Sequence, residues 1–173
     1  LSSMTNAPGT IVKEAVKMEK MLVSGVAKDT NVARISVVGV PDVPGLAFKL
    51  FSKLASKGIN VDIILQSIGR DGTKDIAFTV AKENGKEAVA IMEEFISVVG
   101  GKSVTLSEDV AKISIVGAGM ESHAGVATKM FEALFDAQIN IQMISTSEIK
   151  VSVLINADDA DKAVSAIHSK FFD

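Results

Sequence analysis

The residues whose types and spacing most suggest chemistry lie in the short run Pro41-Asp42-Val43-Pro44-Gly45-Leu46. Two prolines stiffen this run, and Gly45 lets the backbone amides at the start of a following helix approach a ligand closely. Those amides can hold a carboxylate, whereas Asp42 can accept a charge-assisted hydrogen bond from an ammonium group. Together they predict a corner that binds an amino acid. The alternative, on local sequence alone, is a rigid turn in which Asp42 caps the helix.

A strand predicted over Val61–Ile68 supplies a second polar group. Strict alternation puts Gln66 on the face opposite Val61, Ile63 and Leu65. If those three side chains meet the helices, Gln66 lies on the face of the sheet that the helices leave uncovered. A glutamine amide both donates and accepts hydrogen bonds, which suits the backbone of an amino acid.

Two catalytic chemistries fit the sequence less well. Gly117-Ala118-Gly119 follows a predicted strand as a dinucleotide-binding loop would, but Ser122 stands where the third glycine belongs. Glu121, Ser122 and His123 are adjacent, and adjacent side chains rarely face each other; no nucleophile elbow surrounds the serine. We interpret this stretch as a polar loop before a helix.

The elements that must position these residues form an internal repeat of about eighty residues. Arg34–Gly39 matches Lys112–Gly117 in sequence, and Ile59–Val61 matches Ile139–Ile141. Each copy reads as strand, helix, strand, strand, helix, strand. Two helices on one face of a four-stranded antiparallel sheet give an α+β, ferredoxin-like βαββαβ unit. The fold class predicted is therefore two such units in tandem, each with one uncovered sheet face that invites association.

The predicted elements follow the apolar periodicity. They are strands Ala33–Val40, Val61–Ile68, Asp75–Ala81 and Ser103–Ser107 with helices through Ala47–Leu54 and Ala88–Ile96, and then Ala111–Val116, Gly125–Asp136, Ile141–Ser147, Lys150–Ile155 and Asp159–Phe172. The second copy is one strand short unless a strand over Lys20–Ala27 fills the gap. The predicted division is a leader over 1–19, a first domain over 20–107 and a second over 108–173.

The composition excludes several classes of protein. A net charge of -3 with acids and bases mixed along the chain, and aromatic residues that are all Phe, argue against nucleic-acid binding. The absence of cysteine excludes disulfides, cysteine-ligated zinc and a thiol nucleophile. The apolar runs are strand-sized, so no membrane span is predicted. No signal peptide is recognisable, and a cytoplasmic location is expected.

Longer motifs resemble the C-terminal regulatory region of aspartate kinase (aspartokinase), which carries two tandem ACT domains. The matching runs are 38–45, 60–66, 71–79, 116–126 and, most specifically, 140–155. The leader, from Ser2 to Ile11, is similar to the join after the kinase domain. The resemblance covers nearly the whole chain.

The resemblance implies a feedback sensor for threonine, lysine or both. The parent family phosphorylates aspartate with ATP, so ATP and magnesium are expected only for the kinase domain, which lies upstream; this segment itself is expected to be no enzyme and to need no cofactor. Its expected partners are the effector amino acid, a second copy of the chain paired through the ACT domains, and the kinase catalytic domain or large subunit.

The resemblance also assigns residues. Effector contacts fall on Asp42, Pro44, Gly45, Leu46, Ala47 and Gln66, completed by Asn140 and Ile141 of the second copy. A second effector, or coupling to it, falls on Met120, Ser147 and Glu148. The second copy departs from the pattern, because Met120–Gly125 stands where the first copy has Asp42–Gly45. The binding unit expected is therefore copy one against copy two across chains. The alternative is an ACT-type dimerisation module that binds no effector.

Overall fold

The computed structural model describes residues 23–69, 71–118, 120 and 125–173, and these form two four-stranded antiparallel sheets with two helices each. The predicted leader over 1–19 lies outside the described residues. The strands are β1 Val23–Asp29, β2 Ala33–Pro41, β3 Ile64–Gln66, β4 Thr73–Val80, β5 Ser103–Ser107, β6 Val110–Gly117, β7 Met143–Thr146 and β8 Lys150–Asn156. The helices are α1 Leu46–Ser56, α2 Gly85–Val99, α3 Val126–Asp136 and α4 Ala160–Phe172.

The first domain has the strand order β3-β4-β2-β5. Its helix α1 buries Leu46, Leu50 and Leu54, which recur every four residues and so form one stripe. This stripe packs on the inward face of the sheet, where Ile35 of β2 and Phe78 of β4 are buried. The predicted α+β class with tandem βαββαβ units is confirmed.

The second domain has the order β1-β6-β8-β7, so the first strand of the described residues completes the second sheet. β1 pairs antiparallel with β6 from Val23↔Gly117 to Asp29↔Lys112. This corresponds to the alternative in which the leading strand fills the gap, and it corrects the division that grouped this strand with residues 20–107. The physical reason is that β5 already occupies the equivalent position beside β2 in the first sheet.

The two domains pack through sheet faces that point away from the helices. Ile63 of the first domain is buried with Val110, Met143 and Leu154 of the second, and Ala77 of β4 packs against this cluster. The faces predicted to be uncovered therefore cover each other in part.

β3 is shorter than the predicted strand Val61–Ile68. Before Ile64 the ladder is irregular, because the Ile63 amide donates to the Thr79 hydroxyl and the Asp62 amide to the Thr79 carbonyl. The side chain of Ile63 turns into the interdomain cluster at this point. Within the described ranges, no helix is long and apolar enough to cross a membrane.

Candidate functional site: the Asp42 corner

The start of α1 presents backbone amides without a capping side chain. Gly45 is the N-cap residue and adopts a left-handed conformation with φ of 82°, which favours glycine. No side chain of the described part caps this helix. The interpretation of Asp42 as a helix cap is therefore wrong. The side chain of Leu46 is buried and its amide donates to the Val43 carbonyl at 3.4 Å, so the amides that remain for a ligand are those of the residues that follow it in the first turn.

Asp42 follows β2 directly and is fixed from two sides. Its amide donates to the carbonyl of Gly72 at 2.9 Å, in the turn that precedes β4. Its Oδ1 lies 3.0 Å from Nζ of Lys74 on β4. The Asp42 side chain is 44% exposed, whereas that of Lys74 is only 9% exposed. The Asp42 carboxylate is thus accessible to solvent, whereas the Lys74 ammonium that pairs with it is almost buried.

Gly69 shapes the same corner. A Cβ at this position would overlap Oδ2 of Asp42, so a side chain here would force the carboxylate to move. We define the Asp42 corner as Asp42, Gly69, Lys74, Gln66 and the first turn of α1.

Gln66 lies on the helix side of the sheet, not on the uncovered face. It pairs with Ile76, and directly opposed residues of antiparallel strands point to the same side. Ile76 is buried against the helices of the first domain. The prediction that Gln66 lies on the face away from the helices is therefore wrong, because the alternation of this strand has the opposite phase. The correction places Gln66 on the same side as Lys74, which pairs with the equally inward Val40.

Asn140 and Ile141 lie in the second domain, between α3 and β7. Asn140 is exposed, and Ile141 packs partly against the second core. No hydrogen bond or ion pair described in the chain joins them to Asp42 or Gln66. The structure therefore places Asp42, Pro44, Gly45, Ala47 and Gln66 at the end of the first sheet where β2 and β3 finish, and Asn140 and Ile141 on the other domain.

The residues predicted for a second effector lie around one end of the second sheet, where the Gly117 amide at the end of β6 donates to the Ile149 carbonyl at 2.9 Å. Met120 is 6% exposed and its side chain packs in the second core. Ser147 and Glu148 are exposed in the turn after β7, where the Ser147 amide donates to the Lys150 carbonyl at 2.7 Å. Gly125 repeats the left-handed N-cap of Gly45, with φ of 98°. The predicted polar loop residues Glu121, Ser122 and His123 lie outside the described residues.

An ion cluster joins the domains away from this corner. Nζ of Lys112 on β6 contacts Asp29 of β1 at 3.2 Å and also the carboxylate of Asp62 from the first domain. Burial by itself lowers the pKa of Lys112, but the hydrogen bonds and charges of Asp62 and Asp29 outweigh it and raise the pKa above its ordinary value. Among the described residues, no group of three acidic, histidine or cysteine side chains is arranged to hold a metal ion.

Lys74 was missed by the sequence reasoning, although a signal existed. It alternates in phase with Ile76 and Phe78, which are both buried against the helices. A lysine in phase with a series of core residues needs a partner for its charge. Such a position therefore points to a nearby carboxylate, which here is Asp42.

Comparisons with known proteins define the class. Residues 33–100 and residues 113–171 each match a family model described as an ACT domain. The chain is therefore a tandem pair of ACT domains.

Its relatives define the family. The aspartokinase of Mycolicibacterium smegmatis is 47% identical over 175 residues, which covers 98% of this chain and 42% of that protein. The regulatory subunit of aspartate kinase from Thermus thermophilus, in ligand-free form, is 43% identical with a TM-score of 0.83, over 87% of this chain and 99% of that one. A structure of aspartokinase alpha and beta subunits contains a chain 46% identical with a TM-score of 0.81, over 86% and 98%.

The chain belongs to the aspartokinase family and corresponds to its ACT-domain regulatory part, not to its kinase domain. It spans 42% of the length of the curated relative from M. smegmatis.

Proposed function

We propose that this chain senses an end-product amino acid, threonine or lysine or both, and transmits feedback inhibition to an aspartate kinase catalytic domain or large subunit. The observation that carries the proposal is the Asp42 corner. An accessible carboxylate, uncapped amides at the start of α1 and the Gln66 amide lie at the end of the first sheet where β2 and β3 finish. The α-ammonium, the α-carboxylate and a polar side chain of an amino acid each find a complementary group there.

Calorimetric titration of the chain with L-threonine and with L-lysine tests the proposal. Saturable binding of at least one of them is expected, and Asp42→Asn should weaken it at least about tenfold, because the ligand ammonium loses its charged partner. Asp158→Asn is the matched control, since Asp158 is an exposed acid of the second domain. Saturation by neither amino acid would show that the chain is not such a sensor.

The same proposal places Asn140 and Ile141 of one chain against the Asp42 corner of another, in a homodimer. The support is their separation onto different domains and the exposed edges of both sheets, β3 with Ile64 and β7 with Ile144. Unpaired edges of this kind favour association with another chain.

Mixing two variants that each bind the effector weakly tests this arrangement. Asp42→Asn and Asn140→Ala should each bind threonine or lysine weakly alone. A mixed dimer combines the intact Asp42 of one chain with the intact Asn140 of the other, so about half of the sites in mixed dimers should recover wild-type affinity. Recovery in the mixture is expected only if the site spans two chains. Mixtures as weak as the separate variants would place the site within one chain.

A dimerisation module without effector is the second candidate, and the apolar edges β3 and β7 favour it. A ligand that binds only the native state must raise its melting temperature. Unchanged melting with every amino acid of the aspartate pathway, together with a stable dimer in sedimentation, would support this candidate over the sensor.

A further inference from the structure

The ion pair between Asp42 and Lys74 is the least explained feature of the Asp42 corner. Asp42 is the residue proposed to bind an effector ammonium, yet in this structure an internal ammonium already lies 3.0 Å from its Oδ1. An effector whose ammonium binds this oxygen must compete with the Lys74 ammonium. Binding is favourable only if Lys74 finds another negatively charged partner.

Leaving the Lys74 ammonium without a partner would be strongly destabilising. Its side chain is only 9% exposed, and Asp42 is the carboxylate within ion-pair distance of it in the described structure. When a buried ammonium loses its carboxylate, the free-energy cost of removing its charge from water is no longer offset by an ion pair. A simple amine that displaced Lys74 from Asp42 would leave one buried cation unpaired.

A zwitterion avoids this cost because it carries both charges. The ammonium and carboxylate of an α-amino acid are attached to the same carbon, so they can meet two opposite charges that are themselves adjacent. The uncapped amides at the start of α1 lie on the same side of the sheet and favour an anion as well.

We propose that Lys74 binds the α-carboxylate of the effector while Asp42 binds its α-ammonium, so that one internal ion pair is exchanged for two ion pairs with the ligand. Lys74 thereby selects ligands that carry both charged groups. This inference rests on the proposed function and adds a binding residue to it, together with a selectivity for free α-amino acids over their amides and decarboxylated amines.

Paired ligands test the role of Lys74. L-threonine and L-threoninamide, and likewise L-lysine and L-lysinamide, differ at the carboxylate. The wild-type chain should prefer each acid to its amide. In Lys74→Met, which keeps a long apolar stem in the buried position, that preference should fall about tenfold or more, as the loss of one charge-assisted contact implies. Lys74→Arg keeps the charge and should retain most of the preference.

The controls separate folding from recognition. Lys86→Met removes an exposed lysine of α2 and should leave the preference unchanged. If threonine or lysine binds the wild type but the ratio of acid to amide affinity is the same in Lys74→Met, the role of Lys74 is wrong and the sensor proposal stands. If no amino acid binds the wild type at all, both the sensor proposal and the proposed role of Lys74 are wrong.

Discussion

Nη1 of Arg34, in the first domain, donates a hydrogen bond of 2.7 Å to Oε1 of Gln142, in the second. Nε2 of Gln142 donates in turn to Oδ1 of Asn156 on β8, also at 2.7 Å. Nη2 of Arg34 reaches the Ser107 hydroxyl at 3.1 Å. Gln142 directly follows Asn140 and Ile141, which are proposed to contact the effector, so these hydrogen bonds connect that segment to the first sheet.

The first prediction concerns this connection. Arg34→Met should lower the free energy of unfolding by about 1–3 kcal/mol, because Gln142 and Ser107 lose a charged donor in a partly buried place. In a double-mutant cycle with Gln142→Met, the two changes should couple by roughly 0.5–3 kcal/mol. Urea unfolding measures both. Strictly additive losses would mean that the hydrogen bond does not hold the domains together in solution.

The second prediction concerns alkaline pH. Burial lowers the pKa of Lys112, but Asp62 and Asp29 raise it more, so the folded pKa lies above the unfolded one. Its contribution to stability is therefore complete below the unfolded lysine pKa of about 10.4 and is lost as the pH rises through the folded pKa. Wild type should lose stability above about pH 10 more steeply than Lys112→Met.

Lys170 provides the control for that experiment. Its pKa is also raised, chiefly by a hydrogen bond from its ammonium to Glu132, but its side chain is 29% exposed against 16% for Lys112, and its carboxylate partners lie in solvent, so its ion pairs are more strongly screened. Lys170→Met should keep the wild-type slope above about pH 10. Equal slopes for all three proteins would rule out the Lys112 cluster as the source.

The third prediction concerns Gly69. Gly69→Ala should weaken threonine or lysine binding about tenfold, which is about 1.4 kcal/mol, because the new methyl group displaces the Asp42 carboxylate. Gly25→Ala is the matched control, since a Cβ there meets nothing within 4 Å. Calorimetry compares the two variants. Wild-type affinity in Gly69→Ala would show that the carboxylate is not needed at its present position.

The fourth prediction concerns the first core. Leu50 is 0% exposed on the inner stripe of α1, whereas Phe48 on the same helix is 76% exposed. Leu50→Ala should cost about 2–5 kcal/mol through lost burial and the cavity left behind, whereas Phe48→Ala should change stability by no more than about 0.5 kcal/mol. Thermal unfolding followed by circular dichroism distinguishes them. A large loss in Phe48→Ala would indicate that another surface covers this ring.

Periodicity was sufficient to predict the helices of the first domain. Leu50 and Leu54 recur at helical spacing, and the helix they predict ends at Ser56, two residues before Gly58 with its positive φ of 73°. Spacing of this kind is a local property that depends little on the rest of the fold. Because the second copy matches the first in sequence, the same spacing predicts the helices of the second domain.

Periodicity could not decide which face of β3 is buried. Alternation separates Gln66 from Leu65, but either phase is consistent with it until the partner strand is known. The pairing of Gln66 with Ile76 settles the phase, and Ile63 is drawn to the opposite side by an apolar cluster of the second domain. Contacts so distant along the chain leave no local pattern in the sequence. The phase of Lys74 with Ile76 and Phe78 indicates a lysine that needs a partner, but the identity of that partner, Asp42, depends on the register of β2 against β4.

The pairing of β1 with β6 makes the second domain discontinuous in sequence. The whole first domain is inserted between two neighbouring strands of one sheet. No single cut between the domains can separate them intact, because a fragment starting at β6 would lack an edge strand. Closing that sheet also requires contact between distant parts of the chain, which carries a loop-closure entropy and slows folding. A circular permutant that joins β1 to the end of α4 would test whether the second domain can fold alone.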